Sequence, residues 1–183
     1  MLTILLVVIV VLVLLAVFLY NRLVSLRMRA QNAWSDIDVQ LKRRADLVPN
    51  LVSTVKGYAT HERETLDAVV QARTRAVAAQ SSDPATRARA EGDLTAALRG
   101  LTVAVEAYPQ LQASGGFRDL QSQLASIEDA IQNSRRYYNA VVRDLNTAVS
   151  TVPSNLLAGP MGFGELQFFE AAAGERELPK VSF

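Results

Sequence analysis

The chain contains no cysteine. Disulfide frameworks, thiol nucleophiles and thiolate metal sites are therefore excluded as its chemistry. Histidine is almost as scarce: His61 is the only one in 183 residues. One imidazole cannot form a histidine cluster within a single protomer. His61-Glu62 does not extend into a two-histidine zinc-protease helix, because the required position holds Thr65. A carboxylate-bridged di-metal bundle needs two Glu-x-x-His units, and Tyr58 stands three before His61. No G-x-S-x-G, P-loop or G-x-G-x-x-G occurs. A charge excess is missing as well, since 19 basic residues face 18 acidic ones. Nucleic-acid partners call for a basic stripe across a domain, so they are not expected. These absences predict a protein that is not an enzyme, with no cofactor and no metal.

Charge is also absent from residues 2–20, LTILLVVIVVLVLLAVFLY, of which sixteen of nineteen are Leu, Ile, Val or Phe. As a helix this run is about 28 Å long, close to a hydrocarbon core of about 30 Å. Insertion is favoured by roughly −5 to −10 kcal/mol. Every face is apolar, which excludes an amphipathic soluble helix. Bulky residues follow Ala16, and no basic residue precedes Leu2, so the run reads as an anchor rather than a cleaved leader. Arg22, Arg27 and Arg29 follow it directly. Basic residues stay on the cytoplasmic side, which predicts a single-pass cell-membrane protein with a short N-terminus outside and a cytoplasmic helical body. These three arginines are candidate contacts for anionic headgroups.

Beyond the anchor the pattern is helical throughout. Leu23, Leu26, Ala30, Ala33, Ile37 and Leu41 step by three and four, with Trp34 beside them as a large packing residue. Pro49 disfavours helical backbone at Val48, so residues 46–49 are expected to reverse the chain, a kinked continuous helix being the alternative. The second helix would carry Leu51, Val55, Tyr58, Leu66, Val69 and Ala76, with a drift in register near His61 and Glu62. Asp83-Pro84 is a helix restart, an N-cap carboxylate followed by proline at the first helical position. The third helix carries Leu94, Leu98, Leu101, Val105 and Tyr108 and stops at Pro109; its Gly92 and Gly100 are candidate points of close helix approach. The fourth runs through Phe117, Leu120, Leu124, Ile127, Ile131, Ser134, Tyr138, Val141, Leu145 and Ala148 without a slip, and that spacing favours a left-handed supercoil.

The expected fold class is all-α. An N-terminal transmembrane helix precedes an antiparallel up-and-down bundle of about four long helices and an irregular docked C-terminal tail. The expected divisions are an anchor at 1–21, a bundle at 22–151 and a tail at 152–183. Gln132, Asn139 and Asn146 lie seven apart beside the fourth seam. They read as amides that bridge helices and hold register, or as a polar ligand groove. The tail is rich in Gly and Pro, yet holds Phe163, Phe168, Phe169 and Phe183. Disordered tails are poor in aromatics, so this one should dock, on its own bundle, a neighbouring protomer or the lipid surface, with a short helix near 166–173. Lys42-Arg43-Arg44 would stand about 33 Å beyond Tyr20 on an upright helix. That distance is too far to feel the bilayer through a Debye length of about 8 Å. One of these residues can stabilise a helix C-terminus. The others remain free to pair with acidic groups on another helix or another protein. Lys42, Arg43, Arg44, Phe163, Phe168 and Phe169 are the candidate interaction surface.

The run Ala33-Trp34-Ser35-Asp36-Ile37-Asp38-Val39-Gln40-Leu41-Lys42-Arg43-Arg44, with Asp46-Leu47-Val48-Pro49-Asn50-Leu51-Val52, resembles the signature of the LemA family of bacterial membrane proteins. Val55-Lys56-Gly57-Tyr58, Ala107-Tyr108-Pro109, Arg135-Arg136-Tyr137-Tyr138-Asn139, Pro153-Ser154-Asn155-Leu156 and Pro179-Lys180-Val181 extend the similarity over nearly the whole chain. The resemblance implies an N-terminal span, an external N-terminus, a cytoplasmic helical bundle and no established molecular function. Ala45, Leu145 and Pro160 depart from the family pattern. The functional expectation is a membrane-anchored scaffold or adaptor whose partners are the lipid bilayer, further copies of itself or another membrane protein. The alternative is a regulatory partner of a membrane enzyme such as a protease or signalling kinase.

Overall fold

The computed structural model describes residues 1–59 and 61–170. Among them the protein is all-helical, with no strand. The elements are α1 (Leu2–Lys56), α2 (Arg63–Ala78), a 3₁₀ turn at Ala79–Ser81, α3 (Pro84–Val105), the short α4 (Pro109–Ala113), α5 (Gly115–Ser150) and α6 (Asn155–Ala158). The long elements α1, α2, α3 and α5 are the four expected bundle helices. The chain divides into two units, residues 1–35 with 136–168, and residues 36–135 with the segment from Phe169. Both α1 and α5 contribute to each.

In the first unit, α1 begins with the apolar run. Leu2, Leu6, Leu14 and Phe18 are each more than half exposed, and the helix is long and apolar enough to cross a membrane. Where the run ends, packing begins. Leu23 clusters with Leu145, Ala148, Ala158 and Phe163, and Trp34 meets Tyr138 with ring centroids 5.2 Å apart. Positions rise along α1 as they fall along α5, so the two helices are antiparallel here.

The second unit is a bundle of α1, α2, α3 and the first part of α5. Its core holds Val48, Leu51, Val55, Leu66, Val69, Leu94, Leu101, Val105 and Phe117. The expected reversal at 46–49 does not occur: α1 runs through Pro49 to Lys56. A helix-interior proline costs about 3 kcal/mol. Val48, Leu51 and Val55 are almost wholly buried, and each contributes roughly 1.5–3 kcal/mol, so packing outweighs the break. Proline also removes the N–H that would bond the carbonyl of Ala45. Arg73 of α2 replaces it, its Nε donating to Ala45 O at 2.7 Å. The actual reversal follows Lys56, where the sequence register drifts, and Leu51 and Val55 therefore belong to α1.

Helix starts follow local chemistry. The Asp83 carboxylate accepts from the N–H groups of Ala85 and Thr86, both at 3.0 Å, with Pro84 in the first turn. Hydrogen bonding, led by the Thr86 side chain, lowers the Asp83 pKa below its usual 3.8. Ser114 Oγ accepts from Phe117 N–H at the start of α5. Gly100 faces open space, with nothing within 4 Å of where a Cβ would stand; it is not a point of close approach.

Candidate functional site

The charged cluster on α1 does not act as one surface. Lys42 and Arg43 are exposed, and Arg43 donates to Gln40 Oε1 at 3.4 Å. Arg44 is only 2% exposed, which removes it from the expected interaction surface. The seam explains why. From Leu41 the heptad continues 44, 48, 51, 55 in steps of three and four, so Arg44 occupies a core position. Its Nη2 donates to Glu91 Oε2 at 2.6 Å and to Glu91 O at 3.2 Å. Its Nη1 donates to Glu128 Oε2 at 2.8 Å and to Thr95 Oγ1 at 2.9 Å. One guanidinium thus joins α1, α3 and α5. A second buried arginine, Arg87 of α3, pairs with Asp38 of α1 and donates to Gln80 O at 3.2 Å. Opening such a pair strands a buried charge and costs about 3–5 kcal/mol. These charges tie α1 to α3 and α5 within the second unit.

A cavity of about 290 Å³ adjoins the network. Leu98, Leu101, Val105, Phe117 and Leu124 form its apolar wall, and Arg44, Thr95 and Glu128 lie at its polar edge. Leu124 stays only half-buried, and Gln121 and Ala125 beside it are exposed. At the far end of the unit, Tyr108 donates its hydroxyl to Glu62 Oε1 at 3.1 Å. Desolvation and then Glu62 raise its pKa. His61 is exposed, and among the described residues no group of three acidic, His or Cys side chains is arranged to hold a metal.

As far as residue 170, the tail packs on its own chain. In the first unit, Phe163 is buried and meets the edge of Tyr20 at 5.9 Å, with the Arg27 guanidinium 5.9 Å over its ring. Asn146 then grips the backbone of Leu166 at both ends. Its Nδ2 donates to Leu166 O at 2.9 Å, and its Oδ1 accepts from Leu166 N–H at 2.9 Å. Tyr138 donates its hydroxyl to Gln167 O at 2.9 Å, and burial raises its pKa. Residues 166–170 are consequently not helical, because side chains of α5 take the backbone groups a helix would use. This corrects the expected short helix for its described part; residues 171–173 and Phe183 lie outside the described residues.

Of the amide positions, Asn146 holds the tail and Gln132 bonds within α5. Gln132 bonds Glu128, four residues earlier, at 3.3 Å, and Asn146 secures Leu166. Phe169, in the second unit, is 2% exposed beneath Arg135, whose guanidinium carbon lies 5.3 Å from the ring centroid. Phe163 and Phe169 are thus core residues, whereas Phe168 is 38% exposed and stays available for contact.

The three arginines that follow the apolar run also separate. Arg27 belongs to the tail contact, where its Nη1 lies 3.5 Å from Gly162 O. Arg22 and Arg29 line a polar groove of about 530 Å³ with Ser25, Asp144, Thr147 and Thr151.

Fold and site together define an all-helical protein with one strongly apolar N-terminal helix and an ion-paired helical bundle. Residues 33–183 match the LemA family model, and the chain belongs to the LemA family. It is similar to Magnetosome protein MamQ 2 of Paramagnetospirillum magneticum, with 27% identity over 87% of this chain and 68% of the relative. Magnetosome protein MamQ of Magnetospirillum gryphiswaldense is 26% identical over the same shares. Protein LemA of Metamycoplasma hominis is 26% identical over 85% of this chain and 71% of the relative.

Proposed function

We propose that this chain is a membrane-anchored, non-enzymatic helical scaffold that works by self-association. The apolar first part of α1 spans the cell membrane, with the short N-terminus outside and the helical body in the cytoplasm. The observation that carries this reading is the division of roles among side chains. The buried charges Arg44, Glu91 and Arg87 are committed to partners between helices, Arg44 to Glu91 and Arg87 to the half-buried Asp38, while the largest run of exposed apolar residues lies on one N-terminal helix.

A second reading, regulation of a membrane enzyme such as a protease or signalling kinase, is favoured by exposed Lys42 and Arg43. Arg43 opens onto a groove with Asp46, Gln123 and Ser126, a polar lining suited to a hydrogen-bonding segment of a partner. Crosslinking in native membranes separates the two. Recovery of higher multiples of this chain supports the scaffold. Repeated recovery of one enzyme, lost on Lys42→Glu with Arg43→Glu, supports the regulator. A strict monomer that crosslinks to nothing refutes both.

A further inference from the structure

The groove beside the end of the apolar run has a composition that anchoring alone does not require. Arg22, Ser25 and Arg29 recur at spacings of three and four on one face of α1. Asp144 and Thr147 on the facing stretch of α5, with Thr151 just beyond its end, do the same. The six side chains border a single concave space of about 530 Å³, with Leu19 at its lower edge. Among the described residues neither Arg22 nor Arg29 forms an ion pair, although Asp144 lines the same groove. Two guanidinium groups against one carboxylate leave the groove positive.

Position decides what such a groove meets. Arg22 begins about 3 Å beyond Tyr20 and Arg29 about 13 Å beyond it along the helix. The headgroup layer is roughly 5–8 Å deep on each side of the hydrocarbon. Side chains on a helix lean toward its N-terminus, which for α1 is the bilayer side. Long arginine stems extend that reach while their charged ends stay in the polar layer. Arg27 is turned away to Phe163 and Gly162, so the flank is sorted rather than uniformly basic.

We propose that Arg22 and Arg29 hold the phosphate of one anionic phospholipid in this groove, with Thr147, Thr151 and Asp144 accepting or sharing hydrogen bonds with the headgroup hydroxyls. Guanidinium forks match phosphate oxygens in geometry and charge, and the hydroxyl-lined α5 side suits a polyol such as glycerol. The inference rests on the membrane-anchor reading.

The test uses the full chain. Insertion into phosphatidylcholine vesicles is measured first by resistance to alkaline extraction. Failure to insert overturns the anchor reading. The chain is then extracted from vesicles containing phosphatidylglycerol and weighed with retained lipid by native mass spectrometry. One phosphatidylglycerol per chain is expected in preference to phosphatidylcholine. Arg22→Gln and Arg29→Gln should each reduce retention about fivefold and together about 25-fold, while Arg27→Gln and Lys42→Gln leave it within twofold. Thr151→Val should lower retention of phosphatidylglycerol but not of phosphatidic acid, which lacks the glycerol headgroup. Equal loss on Arg27→Gln would reveal diffuse surface charge and overturn the site. So would equal retention by every variant, or complete displacement of the lipid by millimolar inorganic phosphate.

Discussion

Replacing Arg73 by methionine tests how α1 survives Pro49. The methionine keeps an apolar stem but removes the donor to Ala45 O, a contact of 2.7 Å that is partly buried. A hydrogen bond from a charged donor contributes about 1.5–3 kcal/mol, and a buried carbonyl left without a partner costs a similar amount. The expected loss is about 2 kcal/mol. Pro49→Ala restores a backbone N–H four residues after Ala45 and relieves part of the roughly 3 kcal/mol proline cost, so that variant should be stabilised. In the Pro49→Ala background the Ala45 carbonyl no longer needs Arg73, and Arg73→Met should cost under about 0.5 kcal/mol. The cycle therefore predicts a coupling of about 1.5 kcal/mol, in the range expected for two positions sharing one acceptor. The assay is chemical denaturation of the detergent-solubilised full chain, followed by far-ultraviolet circular dichroism at constant m. If Arg73→Met costs the same with alanine at 49 as with proline, the side chain is not replacing the missing backbone bond, and the explanation fails.

Other expectations are narrower. Arg44→Ala should destabilise by about 3–5 kcal/mol because it strands the Glu91 and Glu128 carboxylates, whereas Arg44→Met with Glu91→Leu and Glu128→Leu should recover most of that loss; thermal unfolding of the two variants compares them directly. Asn146→Ala should cost about 1–2 kcal/mol and raise hydrogen exchange across residues 163–168 while α5 stays protected; unchanged exchange in the tail would contradict the clamp. The lowered Asp83 pKa means that its cap stabilises the folded chain above the ordinary carboxylate pKa and loses that effect as pH falls through the lowered value. Melting curves should accordingly separate wild type from Asp83→Ala at neutral pH and converge in strong acid.

Much of the fold was legible because it is local. Sixteen Leu, Ile, Val or Phe residues in nineteen mark the apolar first part of α1, Asp83-Pro84 marks the start of α3, and the unbroken stripe from Phe117 to Ala148 marks α5. The site was less legible, for a consistent reason. Arg44 looks like one member of a basic surface triplet when read among its neighbours. Its core position appears only when the seam is continued through 44, 48, 51 and 55, and the same continuation argues that Pro49 does not end the helix. The drift at His61 and Glu62 was the better sign of the reversal. For the tail, counting phenylalanines foretold docking but not its means, since an amide reaching a backbone twenty residues away leaves no periodic trace.

Sequence alone determined the apolar run, the helical character, most helix boundaries and the chemistry the chain lacks, because hydrophobic period, caps and composition act within a few turns. Tertiary structure decided which charges are buried, how α1 passes its proline and which arginine after the apolar run is held by the tail. Each of those outcomes depends on a partner distant in sequence, Arg73 for Ala45, Glu91 and Glu128 for Arg44, Phe163 for Arg27, and only the folded chain brings such groups within bonding distance.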